Sequence, residues 1–194
     1  MPTGVALRDA RMQLLAAGER VLLEHGPAAV TSRAVTDEAG VAKGVLHRHF
    51  PTFDDFLGAL LGQQLSGVTA VMADLLDRAG HGTVLDNLAA ALVNLFRPLL
   101  LAAVRLQLSR VPRLGPSLLG AAIEGVTAYL AAEQGGGRLH TSAAPDALAR
   151  AVVGTGHLLF SGELGGLPDD AAVREVVEAI IVGAVPGPAE QPRH

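Results

Sequence analysis

The sequence predicts an all-α protein, and three observations carry that prediction. Ala and Leu dominate a chain that is 49% hydrophobic, and both are good helix formers. Aromatic strand formers are scarce: one Tyr, no Trp and five Phe. Apolar residues recur three and four positions apart between Gly and Pro breaks, the period of a helix with one buried face.

Taken in order, the pattern gives about nine helices. The first covers residues 8–25, with Leu14, Leu15, Gly18, Val21 and Leu22 on one stripe, and Gly26-Pro27 stops it. Thr31 or Ser32 then offers a capping hydroxyl for a short helix over 32–39, with Val35 and Ala39 on one face. After Ala39-Gly40-Val41 a third helix spans 42–50 and turns Leu46 and Phe50 inward. Pro51 ends it, since proline restricts the residue before it and has no donor. Thr52 caps a long fourth helix over 53–79, with Asp54 and Asp55 at its positive dipole end.

Beyond Gly80-His81-Gly82, Thr83 caps a helix to residue 96, and Pro98 kinks or restarts it as far as 110. Two prolines and a glycine break the chain over 111–116, and another helix follows over 117–134. Residues 135–144 read as a flexible glycine-led loop. The last helices, 145–160 and 168–185, each open with Pro near the first turn. Three parts result: a helix-turn-helix unit over 1–52, a helical effector-binding and dimerisation domain over 53–185, and a disordered tail over 186–194.

Several function classes drop out. With no Cys there is no disulfide, thiolate metal site or thiol nucleophile, which suits a reducing cytosol. The opening residues MPTGVALRDARMQ are no secretory signal, because Arg8, Asp9 and Arg11 interrupt them. The apolar run 84–104 carries Asp86, Asn87, Asn94, Arg97 and Pro98, so it reads as a core helix and not a membrane span. No HExxH and no phosphate-cradling loop is present, and Gly135-Gly136-Gly137 follows a helix. His47 and His49, two apart on a helix, point in different directions. We therefore expect no catalytic residue, no metal and no cofactor, and a cytoplasmic chain that is not an enzyme.

The stretch 26–57 carries the functional reading. Two short helices joined at Gly40 have the layout of a helix-turn-helix, whose second helix lies in a DNA major groove. With Leu46 and Phe50 inward, Lys43, Gly44, Val45 and His47 face outward. Lys43 can donate to guanine O6 and N7, Val45 can touch a thymine methyl, and Gly44 permits close approach. Thr31, Ser32 and Arg33, together with His47, Arg48 and His49, suit phosphate oxygens. The plain alternatives are a solvated charged face for Lys43 and Arg48 and a helix cap for Ser32.

This order of residues resembles the tetracycline-repressor (TetR) family of bacterial regulators over roughly residues 10–57. Leu14-Leu15, Ala17, Gly26, Thr31, Val35, Ala39-Gly40-Val41, Gly44, Leu46 and Phe50 carry the resemblance. It implies a double-stranded DNA operator, a base contact from Arg33, a homodimer and a small apolar or amphipathic effector that releases repression. Two positions depart from the family: His47 stands where Tyr is usual and Phe53 where Lys is usual, so both phosphate contacts are altered and the expectation is either lower phosphate affinity or more pH-dependent binding.

Charge is thin for a DNA binder. The net charge is −4, and residues 1–53 hold six basic against five acidic residues. One copy should bind weakly, whereas two related by symmetry would present their helices about 34–36 Å apart, one DNA turn.

In the last two helices Leu148, Val152, Thr155 and Leu159, then Val173, Val177, Ile180 and Ala184, repeat at helical spacing. They form either an intrachain seam or a four-helix dimer interface, and the resemblance implies the dimer. The middle helices would then enclose an effector pocket from Val68, Met72, Phe96, Leu99, Leu106, Ile123, Val126, Tyr129 and His157, each of which ordinary core packing also explains. Arg97, Arg105, Arg110 and Arg113 form an acid-free run, read as a solvated face or an attractor for an anionic ligand. Two other readings stand beside the effector-controlled regulator: the same fold answering to a protein partner, and a helical-bundle enzyme or carrier with a vestigial DNA-binding unit.

Overall fold

A computed structural model describes residues 4–111, 117–163 and 165–186. Among the described residues, nine α-helices and one 3-10 turn make up the regular structure, in the order α1 (Gly4–His25), the turn Pro27–Ala29, α2 (Ser32–Glu38), α3 (Lys43–His49), α4 (Phe53–Asp77), α5 (Val84–Leu95), α6 (Pro98–Arg110), α7 (Leu118–Gly135), α8 (Pro145–Phe160) and α9 (Asp170–Ile181). The described residues contain no strand.

Side-chain caps set several of these boundaries. Thr31 is the cap of α2 and accepts from Ala34 N at 3.1 Å, which leaves Ser32 as the first helical residue. Thr52 and Asp55 form a reciprocal pair: Thr52 Oγ1 accepts from Asp55 N at 3.1 Å, and Asp55 Oδ2 accepts from Thr52 N at 2.9 Å. These hydrogen bonds hold the Asp55 carboxyl below its ordinary value. Thr83 accepts from Asp86 N at 3.0 Å. Helix α9 starts later than its expected Pro168, because Asp169 takes the cap by accepting from Ala172 N at 2.8 Å.

The chain divides into two compact units, one of residues 1–66 with 98–117 and the other of 67–97 with 118–194. In the first, α1, α2, α3, the start of α4 and α6 bury Leu14, Leu15, Leu22, Val35, Leu46 and Phe56. Gly18 is required by a close approach, since a Cβ there would sit 2.6 Å from Phe56 Cζ. In the second, α7 packs on α8 and α5 on α9, around Leu88, Val126, Leu130, Val152 and Val177.

Of the kink or restart expected at Pro98, the structure has the restart, so the apolar run 84–104 is divided between two short helices. Phe96 leaves helical geometry at φ −86°, ψ 53°, and α6 restarts at Pro98. Their 12 and 13 residues each fall short of the roughly 20 a membrane span needs. Among the described residues only α4 is long and apolar enough by length and composition, and it buries Phe56, Leu57, Leu60, Val68, Met72 and Leu75.

The 135–144 segment is pinned, contrary to the flexible loop expected. Gln134 Nε2 donates to the carbonyls of His140 and Ala143, both at 2.9 Å, His140 N donates to Ala184 O at 2.8 Å, and Leu139 is buried. Residues 187–194, expected to form a tail, and Arg113 lie outside the described residues.

Candidate nucleic-acid interface

The interface is built from α2, the turn and α3. Gly40 adopts φ 65° and donates to Asp37 O at 3.1 Å, closing α2, while Val41 N donates to Thr36 O at 3.0 Å. A Cβ on Gly40 would meet nothing within 4 Å, so the left-handed backbone requires glycine here, not crowding between helices. Thr36 is buried and its hydroxyl hydrogen-bonds the Ser32 and Arg33 carbonyls at 3.0 Å, tying α2 to itself. Val35 and Leu46, both fully buried, with Phe50 at 3% exposure, clamp the two helices together.

That inward clamp decides what faces out. Lys43, Gly44, His47 and Arg48 are exposed, and Val45 and His49 are half-buried. No Cβ contact exists at Gly44 within 4 Å, so the approach beside Lys43 is open. On α2, Thr31 and Arg33 are exposed. Ser32 differs from its expected role, because its Oγ is buried and lacks a hydrogen-bond partner among the described residues.

The acids nearby are occupied. Arg33 Nε lies 3.5 Å from Asp37 Oδ2, and Arg20 Nε lies 2.6 Å from Glu38 Oε1. Among the described residues neither Lys43 nor Arg48 has an acidic partner. The outward face of α3 therefore presents two uncompensated cations flanked by two imidazoles.

Phe53 takes no part in that face. It stacks on Phe56 at 5.4 Å, and Phe56 meets Phe50 edge-on at 5.2 Å. Arg11 lies 5.1 Å over the Phe50 ring. The position where the resemblance puts a phosphate-binding Lys is thus spent on an aromatic cluster that supports α3 from behind.

Comparison with known proteins bears on the same segment. Residues 14–60 match the family model described as bacterial regulatory proteins, tetR family. Over those residues the chain is similar to the TetR family. Among curated relatives, the HTH-type transcriptional regulator Rv1816 of Mycobacterium tuberculosis is 36% identical over 84 residues, 41% of this chain and 34% of the relative. The HTH-type transcriptional repressor Rv3405c of the same organism is 34% identical over 92 residues, 44% of this chain and 48% of the relative. The match spans about a third to a half of the length of these curated relatives. Among solved structures, the multidrug binding protein EbrR complexed with imidazole is 28% identical, with a TM-score of 0.66, covering 97% of this chain and 99% of its own.

The remaining expected sites are distributed as follows. Val152, Val173 and Val177 are buried within the chain, so the intrachain seam describes those three, whereas Ala184, also buried, lines the groove described next. Leu148, Thr155, Leu159 and Ile180 are half-buried. An open groove of about 370 Å³ lies on this α8–α9 face, lined by Ala144, Ala147, Leu148, Ala151, Ile180 and Gly183 among others. Leu158 and Val182 are exposed on the same helix pair, at 41% and 67%.

Of the expected pocket residues, Val68, Met72, Phe96, Leu106, Val126 and Tyr129 are buried, and Leu99, Ile123 and His157 are half-buried. None of the nine lines the α8–α9 groove or a second groove of about 320 Å³ beside Asp86, Val93 and Arg174. His157 faces the Phe96 ring at 6.0 Å. Tyr129 is fully buried and its hydroxyl accepts from Asn87 Nδ2 at 3.1 Å. Burial is the largest cause holding that hydroxyl well above its ordinary pKa. Asn87 also donates to His81 O at 2.8 Å, and buried Glu133 pairs with Arg138 at 3.0 Å and accepts from Gly80 N at 3.3 Å. Sequence reading missed this network, because Glu133 and Arg138 lie at a helix end that looks solvated.

The arginine run dissolves into separate roles. Arg97 Nη2 donates to Asn94 Oδ1 at 3.4 Å, and Arg105 is exposed. Arg110 Nη1 donates to Pro27 O at 3.2 Å and to Val30 O at 2.6 Å. No spacing in the sequence announces that contact across some eighty residues.

Proposed function

We propose that this chain is a homodimeric, sequence-specific DNA-binding transcriptional regulator, a repressor that a small molecule releases. The observation that carries the proposal is the outward face of α3. Lys43 and Arg48 stand there exposed and, among the described residues, without acidic partners, next to a glycine that keeps the helix surface low. Inward Leu46 and Phe50 fix the side from which they project. Lys43 reads base edges, assisted by Val45, and Arg33, Thr31, His47, Arg48 and His49 take phosphates. Residues 1–52 act as the DNA-binding part and 53–185 as the effector-binding and dimerising part, in the cytoplasm with the DNA.

The dimer reading has its own support. A +1 balance over residues 1–53 is too weak for one copy, and doubling the phosphate contacts steepens binding. The groove beside Leu148, Ala151 and Ile180 offers small apolar side chains at which a second helix pair can approach closely. The effector reading draws on EbrR, named a multidrug binding protein. Helix α4 begins at Phe53, four residues after α3 ends, so displacement of its start moves α3 with it. An effector shifts operator affinity only if it binds the two arrangements unequally.

The test uses the full chain in a gel shift, with duplexes from upstream of its own coding region and with duplexes selected from a random pool. Expected are a selected sequence with two-fold symmetry and loss of the shifted band with an amphipathic small molecule. Failure to select any duplex at about 50 mM salt, where phosphate contacts are strongest, would sink the reading.

A further inference from the structure

Arg110 closes α6, where a cation is favoured by the helix dipole, yet its guanidinium serves another element. It donates to two main-chain carbonyls of the turn that precedes α2, Pro27 O at 3.2 Å and Val30 O at 2.6 Å. The turn is already tight. Gly26 enters it at φ 78°, Val30 N donates to Pro27 O at 3.3 Å, and the Val30 side chain is fully buried.

The Val30 carbonyl matters most. It shares one rigid peptide plane with the amide of Thr31, and Thr31 is the cap of α2. The Thr31 carbonyl in turn accepts from Val35 N at 2.9 Å, the first bond of that helix. A pull on Val30 O therefore tilts the entry of α2, and with it Thr31 and Arg33. Both bonds come from one nitrogen, Nη1, whose two N–H donors serve one carbonyl each, and the positive charge strengthens both.

We propose that Arg110 is a positioning residue for DNA reading: by holding the Pro27 and Val30 carbonyls, it sets the entry of α2 and makes the discrimination between operator and other DNA depend on the last turn of α6. The inference rests on the DNA-binding reading above.

The experiment measures affinity of the full chain, by fluorescence anisotropy, for a duplex selected by the wild type and for a random duplex, across a salt series. Arg110→Ala is expected to weaken the selected duplex on the order of tenfold, the scale of one lost charge-assisted hydrogen bond, and to leave the random duplex within about twofold. The salt slope stays that of the wild type. Arg110→Lys recovers part of the selectivity, and Arg110→Gln, which keeps an amide donor without the charge, recovers some as well; both serve if the alanine variant folds poorly. Equal weakening of both duplexes with a shallower salt slope would make Arg110 a phosphate contact and overturn the proposal. A lower melting temperature with unchanged selectivity would make it purely structural and overturn it too. If the wild type selects no duplex, the DNA-binding reading itself has failed, which is visible before any variant is made.

Discussion

Replacing Arg48 by Ala is the most direct probe of the exposed face of α3. Arg48 is exposed, and among the described residues it has no acidic partner, so its removal frees no buried charge and breaks no ion pair. What is lost is one phosphate contact per half-site, two in a dimer. Each neutralised phosphate contributes a slope of about −0.9 to the dependence of log affinity on log salt, so the variant's slope should be shallower by about 1.8. Between about 50 and 200 mM salt, a fourfold change, the gap between wild type and variant should shrink about twelvefold. Anisotropy titrations with the selected duplex and with random duplex over that range give both slopes. The loss should be the same on the two duplexes, because phosphates carry no sequence. Parallel salt lines for wild type and variant would refute the reasoning, since Arg48 would then touch no phosphate.

Three further outcomes are expected. Lys43→Ala should relax base choice at one position in each half-site by about 1–3 kcal/mol, seen by titrating single-base variants of the selected duplex; uniform weakening would remove its base-reading role. Gly125→Ala should lower stability, because the added Cβ would lie 2.4 to 2.7 Å from Met72 Cγ, Cβ and Sδ, and the Cβ cannot swing away. Overpacking of about 1–3 kcal/mol outweighs the helix gain of about 1 kcal/mol, whereas Gly67→Ala, with nothing within 4 Å, should stabilise by about 0.5–1 kcal/mol; calorimetric melting of the pair checks the opposite signs. Glu19→Gln should stabilise the chain at neutral pH. Burial raises the Glu19 carboxyl more than its hydrogen bond from Gln64 at 2.8 Å lowers it. A raised acid contributes stability that is full below its ordinary value and is lost as pH rises through the folded value, so the advantage of the amide variant should close on acidification. A gap that does not change with pH would assign the effect to something other than ionisation.

Helix existence and order were legible because apolar period and breakers act locally. Leu46 and Phe50 are four apart, Gly40 stands at the turn, and Thr31, Thr52 and Thr83 stand at caps; each works within a few residues, so each can be read from the chain. The outward position of Lys43 and Arg48 followed from the same spacing. Where two readings shared one period, the sequence could not choose. Val152, Val173, Val177 and Ala184 have the spacing of a helix seam, and spacing says nothing about whether the facing helix belongs to the same chain.

Composition, helical period and the residues around Gly40 by themselves determined an all-α chain with a helix-turn-helix and its exposed cations. The tertiary structure alone decided that Phe53 joins an aromatic cluster, that Ser32 Oγ is buried, that Tyr129 is bound by Asn87 and that Arg110 grips the turn before α2. The division has one physical cause. Periodicity and caps are short-range along the chain, whereas a guanidinium finding a carbonyl some eighty residues away depends on how the helices have packed.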